Sequence, residues 1–186
     1  MSTRDKMQAE LLRSREELAR ALGFITLNLS GLEFTIQMFI ALLMMKGQAT
    51  RAQGEKDYAE DAFQFELSFL ISAEMSFQRK LTLLDSLYKH IETDEQAVAQ
   101  LVALVRRASN AEQDRNKMIH STWAGTLGNS TPVRMKQTAK REKNQPTNLK
   151  WHNERASVAN VSQVADSLWE IQRDLELFMQ NRGYSY

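Results

Sequence analysis

The chain has 186 residues, a formal net charge of +1 and no cysteine. Its length suits one domain with a sizeable core, and 42% hydrophobic with 25% charged residues is a folded composition, not a disordered one. Near-neutral charge gives no global pull toward nucleic acid or membrane, and the lack of Cys excludes disulfides, thiolate nucleophiles and Cys-ligated zinc.

The opening stretch MSTRDKMQAELLRSREELAR is charged and amphipathic. It lacks the apolar run and small-residue cleavage site of a secretion signal, so a cytoplasmic chain is expected. Residues 4–46 read as helix almost throughout. Ala21 to Met45 is long enough to cross a bilayer. Yet Gly23, Thr26, Ser30, Glu33 and Gln37 follow one another at intervals of 3, 4, 3 and 4, which puts them on one side of a helix. A central bundle helix with one polar seam is preferred over a membrane span, because Glu33 at mid-span would be costly in lipid. Gly23 and Gly31 fit a kink or a close helix contact. Gly47 fits a helix stop, followed by a polar loop.

FQFELSFLISAEM reads either as a short helix or as an extended pass. Ser76 is placed to cap a helix whose apolar residues are Leu81, Leu83, Leu84, Leu87 and Ile91. Thr93 and Gln96 have the spacing of a capping box that opens a third long helix, about Asp94 to Ser121. Residues 125–158 differ. They hold both prolines and a run with six basic residues, Arg134, Lys136, Lys140, Arg141, Lys143 and Lys150, against one acid, Glu142. Either a β-hairpin or an ordered loop is expected there. A last helix should start near Asn160, with Asn160 and Gln163 as its capping box and Val164, Leu168, Ile171, Leu175 and Phe178 on its core face. The expected fold is all-α, an up-and-down bundle of four or five helices forming one domain over residues 1–186, with 125–158 as a basic insertion.

DRNKMIHSTWAG, Asp114 to Gly125, holds the residues with chemistry. On a wheel of about 100° per residue, Arg115 falls inside the apolar arc of the third long helix, among Leu104, Val105, Ala108, Ala111, Met118 and Ile119. A buried guanidinium needs a partner, and Glu33 is the one acid inside the apolar central helix. Glu33 is therefore expected to pair with Arg115, a planar contact that suits Arg better than Lys. That pair alone would give Arg115 a purely structural role. Asn116 and His120 share a flank of the helix. An imidazole moves a proton near neutral pH, and a guanidinium stabilises charge growing on a phosphate. Arg plus His therefore suffices for metal-independent cleavage of RNA, whose 2′-hydroxyl is the internal nucleophile. The plainer reading of His120 is a surface histidine bonded to a backbone carbonyl.

Arg115, Asn116 and His120, spelled RNKMIH, resemble the signature of the HEPN superfamily (higher eukaryotes and prokaryotes nucleotide-binding): arginine, often followed by a polar residue, four to six residues, then histidine. SGLEFTIQ and HSTW are also similar to stretches of uncharacterised bacterial members. The resemblance implies a mostly α-helical homodimer in which Arg115 and His120 of two subunits meet at the interface, an arrangement that suits two residues roughly 140° apart on one helix. It further implies either an endoribonuclease of a toxin–antitoxin or phage-defence system, with an antitoxin protein as partner, or a non-catalytic binding or assembly module. The basic insertion departs from the minimal family fold.

No cofactor is expected. His90, His120 and His152 are far apart, HExxH is absent and no glycine-rich phosphate loop occurs, so no metal site is expected either. Glu112, Asn116 and His120 follow at intervals of four and read as one polar chain of hydrogen bonds, a weak metal signal. The six basic residues of 134–150 are expected to contact RNA phosphates or to be a solvated loop. Trp123 and Trp151 read as packing anchors before they read as base-stacking platforms.

Overall fold

The computed structural model describes residues 2–49, 58–126, 129–140, 148–155 and 157–184. It is an all-α bundle of five helices with an antiparallel sheet before the last one. In chain order these are α1 (Thr3–Ala49), α2 (Tyr58–Ala73), α3 (Phe77–Ile91), α4 (Glu95–Ile119), β1 (Thr122–Thr126), β2 (Asn129–Lys140), β3 (Asn148–Arg155) and α5 (Val158–Asn181). By its contacts the chain divides into two compact units, Met1–Leu27 with Gln113–Asp166, and Asn28–Glu112 with Ser167–Tyr186. Three helices, α1, α4 and α5, contribute to both.

The second unit holds most of the core. Leu32, Ile36, Phe39, Ile40 and Leu43 of α1 are buried with Phe77, Leu81, Leu84 and Tyr88 of α3, Ala97, Leu101 and Ala108 of α4, and Leu168, Ile171 and Leu175 of α5. Their spacing of three and four residues makes one apolar stripe per helix. A small apolar cavity lined by Ile36, Leu81, Leu84, Leu104, Val105, Ala108, Ile171 and Leu175 marks where four helices converge. Phe39, Tyr88, Phe178 and Tyr184 form an aromatic cluster, with ring centroids 5.1 to 6.2 Å apart and tilted or edge-on geometry. At Gly31 the helices come close: a Cβ there would lie 2.5 Å from Gln172 Oε1. Gly23 has open space, so only Gly31 serves the close contact that the sequence offered both glycines.

Two helix starts lie one and three residues from the expected caps. Asp94, not Thr93, caps α4: its Oδ1 accepts from the backbone of Gln96 at 2.9 Å and Ala97 at 3.3 Å. Ser157, not Asn160, opens α5, its hydroxyl accepting from Asn160 N at 3.2 Å. Ser76 stands at the N-cap of α3 but makes no side-chain cap bond. The segment left open between helix and extended chain is the helix α2.

α1 contains a stretch long and apolar enough to cross a membrane by length and composition, yet 56% of that window is buried inside the protein. On the side of α1 away from the polar seam, Thr35 is buried and its hydroxyl donates to Gly31 O at 3.1 Å and Glu176 Oε1 at 3.2 Å.

In the first unit, Leu18, Ala21 and Ile25 of α1 and Val161 and Ala165 of α5 are buried. The sheet follows with strand order β1-β2-β3. A register shift between Ala124 and Thr126 interrupts the β1–β2 ladder, while β2 and β3 pair without a break from Val133↔Arg155 to Lys140↔Asn148.

Candidate functional site at the C-terminal end of α4

α4 ends at Ile119, and the last turn of a helix leaves carbonyls without partners. Three side chains take them. Ser121 Oγ donates to Lys117 O, Trp123 Nε1 donates to Met118 O at 3.0 Å, and Arg134 Nη1 donates to Lys117 O at 3.2 Å. A guanidinium is favourable at this negative end of the helix dipole. Arg134 also forms an ion pair with Glu154. The register explains this convergence: Trp123 pairs with Arg134, and Arg134 with Glu154, so the three stand in one row across the sheet.

Arg134, one of the six residues expected to meet phosphate, has a side chain only 12% exposed, and it bonds the sheet to the helix end. Trp123 is likewise half-buried and hydrogen-bonded, the packing anchor of the two readings. Lys136 and Lys140 occupy positions two and six residues beyond Arg134 on β2, and Lys150 pairs with Thr138. Arg141 and Lys143 lie outside the described residues.

The motif residues stand on the same helix end. Arg115 is half-buried, and its Nη1 donates to Asn116 Oδ1 at 2.7 Å. Its Nε is buried with no hydrogen-bond partner. His120 is exposed, one residue beyond the helix, and its backbone N–H closes the last turn on Asn116 O at 3.1 Å. Arg115 and Asn116 are thus joined directly, and His120 is tied to Asn116 through the main chain.

Glu33 has a different partner from the one expected. Its carboxylate is held by Lys80 Nζ at 2.5 Å, and the Lys80 side chain is 2% exposed against 34% for Glu33. Arg115 is the candidate by its place in the apolar arc of α4, but Lys80 has the equivalent place in the apolar stripe of α3, with Phe77, Leu81 and Leu84. A lysine in such a stripe needs an acid as much as an arginine does.

The shifted pKa values belong to the corner between α3 and α4. Burial pushes the Tyr88 phenol upward, assisted by the charge of Glu92. The Asp94 backbone N–H holds the Glu92 carboxyl below its usual range. Arg182, at 2.8 Å, lowers Asp94, and Asp94 in turn raises Arg182. Burial aside, the shifts follow from a cap or from the contact that fastens the end of α5, where Gly183 takes a φ of +75° that suits glycine. Perturbed groups often mark active sites, but these have structural causes.

Among the described residues, no group of three or more His, Asp and Glu is arranged to hold a metal. No known protein family, curated protein or solved structure matches the chain.

Proposed function

We propose that the chain is a metal-independent endoribonuclease of the HEPN type, acting in the cytoplasm as a homodimer. The observation that carries this reading is the buried, unpartnered Nε of Arg115, beside Asn116 and one turn before the exposed His120. An orphaned buried N–H costs about 1–3 kcal/mol. A phosphate or a partner subunit would remove that cost. Arg134 adds support, because it brings a second guanidinium to the same helix end. Exposed Phe24 and Leu27 of α1 supply apolar surface for a second copy.

In the reaction, the RNA 2′-oxygen attacks the adjacent phosphorus and the bond from phosphorus to the 5′-oxygen breaks. His120 of one subunit removes the 2′ proton, or a second His120 gives one to the leaving 5′-oxygen. Arg115 holds the phosphate and offsets its added charge, and Asn116 orients Arg115. The products are a 2′,3′-cyclic phosphate and a 5′-hydroxyl. Lys136, Lys140, Arg141, Lys143 and Lys150 hold the RNA backbone without reading its sequence. A toxin–antitoxin or phage-defence role, with an antitoxin protein as partner, follows from the same reading.

The half-burial of Arg115 and its bond to Asn116 favour a second reading, a non-catalytic dimeric binding or assembly module. The two separate in one experiment: wild type and His120→Ala on panels of structured and single-stranded RNA with EDTA present, with sedimentation alongside. Cleavage by the wild type alone supports the nuclease. Equal cleavage by both sinks the chemistry, and a dimer that leaves every RNA intact supports the module. A strict monomer at micromolar concentration removes the shared site from either reading.

A further inference from the structure

α2 is amphipathic in the reverse sense. Its buried side includes Ser68 and Ser72, whose hydroxyls have no need of a partner helix: they donate to Gln64 O at 2.7 Å and Phe69 O at 3.0 Å. Its exposed side carries Phe63, Leu67, Leu70 and Ile71, with relative exposures of 61, 38, 66 and 47%. Intervals of four, three and one set these four within an arc of roughly 100°. Single exposed apolar residues are ordinary on a protein surface, but a contiguous stripe of four marks a binding surface. Phe69, outside that arc, meets Phe34 of α1 edge-on at 5.9 Å.

Charge decides what covers this face. From Tyr58 to Ser76 the chain has Glu60, Asp61, Glu66 and Glu74 and no Lys, Arg or His. Glu66 and Glu74 are exposed, and Glu66 falls within about 40° of Leu70 on the helix wheel, at the edge of the stripe. An anionic lipid surface is repelled by such a rim, because amphipathic helices that lie on membranes carry Lys and Arg there. A second copy of α2 brings only more acids. Paired antiparallel about Leu67, the two Glu66 carboxylates would fall on the same edge, and like charges facing each other are destabilising.

We propose that the exposed face of α2 docks an amphipathic helix of a partner protein, one with apolar residues at helical spacing and Lys or Arg along its flanks. The apolar stripe supplies the anchor residues, and the acidic rim selects the sign of the partner's charge. This surface is independent of Arg115 and His120, so it stands or falls apart from the nuclease reading.

The test uses the full chain and a labelled helical peptide of Leu and Lys, roughly 18 residues long with Leu on one face. A matched peptide carries Glu in place of Lys. By fluorescence anisotropy the Leu/Lys peptide should bind at least about tenfold more tightly than the Leu/Glu peptide. Leu70→Glu and Phe63→Ser should each weaken it by a similar factor without moving the melting curve. Glu66→Lys, at an exposed position that leaves the fold intact, should narrow or reverse the preference. Equal binding of the two peptides overturns the proposal, as does Leu70→Glu binding like the wild type. Self-association that Leu70→Glu abolishes would give the face to a second copy, and flotation with anionic vesicles that it abolishes would give it to a membrane; either result also overturns the proposal.

Discussion

In the unit that contains Phe39, Leu84 and Tyr88, the interior is apolar side chains from several helices, wholly buried and in ring-to-ring contact. In the unit that contains the sheet, the joint is polar: Ser121, Trp123 and Arg134 each give a hydrogen bond to a carbonyl near the end of α4. Burying a large apolar side chain contributes about 1.5–3 kcal/mol, while one hydrogen bond contributes about 0.5–1.5. Stability is therefore concentrated around Phe39, Leu84 and Tyr88 and spread thinly at the end of α4, where the residues with chemistry stand. Such a division is physically reasonable, since binding and catalysis are often carried by the less stable parts of a fold.

The sharpest way to break this contrast is His120→Ala. Exposed beyond the end of α4, His120 should contribute nothing measurable to stability, while its loss should slow RNA cleavage by about 10²–10⁴-fold. A melting curve displaced as far as that of a core variant would erase the separation of stability from chemistry.

A smaller effect is expected at the Lys80–Glu33 pair, and its asymmetry matters more than its size. Glu33→Ala leaves a buried ammonium without a partner and should cost about 2–4 kcal/mol in denaturant melts, toward the lower side because Glu33 is a third exposed. Lys80→Met removes the buried charge itself and leaves a carboxylate that water can reach. Its cost should stay below about 1 kcal/mol. Equal costs for the two would show that the pair does not behave as a buried charge with a half-hydrated counterion.

Trp123→Phe keeps the ring and deletes the N–H that Met118 O accepts, a loss of about 1 kcal/mol. Amide exchange should rise across β1 and β2 while the amides around Leu84 keep their protection. Uniform acceleration would mean that the two units open together.

The smallest effect is a pH dependence. Asp94 has a folded pKa below its ordinary value, chiefly through its bond with Arg182. Its contribution is complete above about pH 4, the unfolded carboxylate range, and is lost as pH falls through the folded value. Asp94→Asn should therefore lose less melting temperature than the wild type on acidification from about pH 5 to pH 3. Parallel acid limbs would remove Asp94 from the account.

Much of the helical core was legible because its signal is periodic. Leu81 and Leu84, or Leu168, Ile171 and Leu175, announce a stripe wherever the chain is helical. The ends were less legible, since Thr93 and Asp94 are both good caps and the choice depends on which residue the backbone leaves in extended geometry. Lys80 was readable and missed: its place between Phe77 and Leu84 carries the same information as that of Arg115 on α4. The sheet was left open between hairpin and loop, although Val133, Arg134, Met135 and Lys136 alternate with the period of a strand. Nothing local in the sequence says that Arg134 bonds to a carbonyl of a helix that ended fifteen residues earlier. At the candidate site, the residues and their adjacency on α4 were legible. The unpartnered Nε was not, because it depends on what packs around Arg115.

The row formed by Trp123, Arg134 and Glu154 also sets what changes of length this chain tolerates. One residue inserted into β2 just after Arg134 leaves the row on α4 but shifts by one every later pair of the β2–β3 ladder, from Met135↔Asn153 to Lys140↔Asn148. Two residues inserted there restore the strand's alternation. The same pair inserted before Arg134 preserves the alternation and pulls the anchor out of line with Lys117. Drift in length at this edge is thus filtered by parity and by place: even steps beyond the anchor keep both the attachment and the alternation, and every other step loses at least one of them.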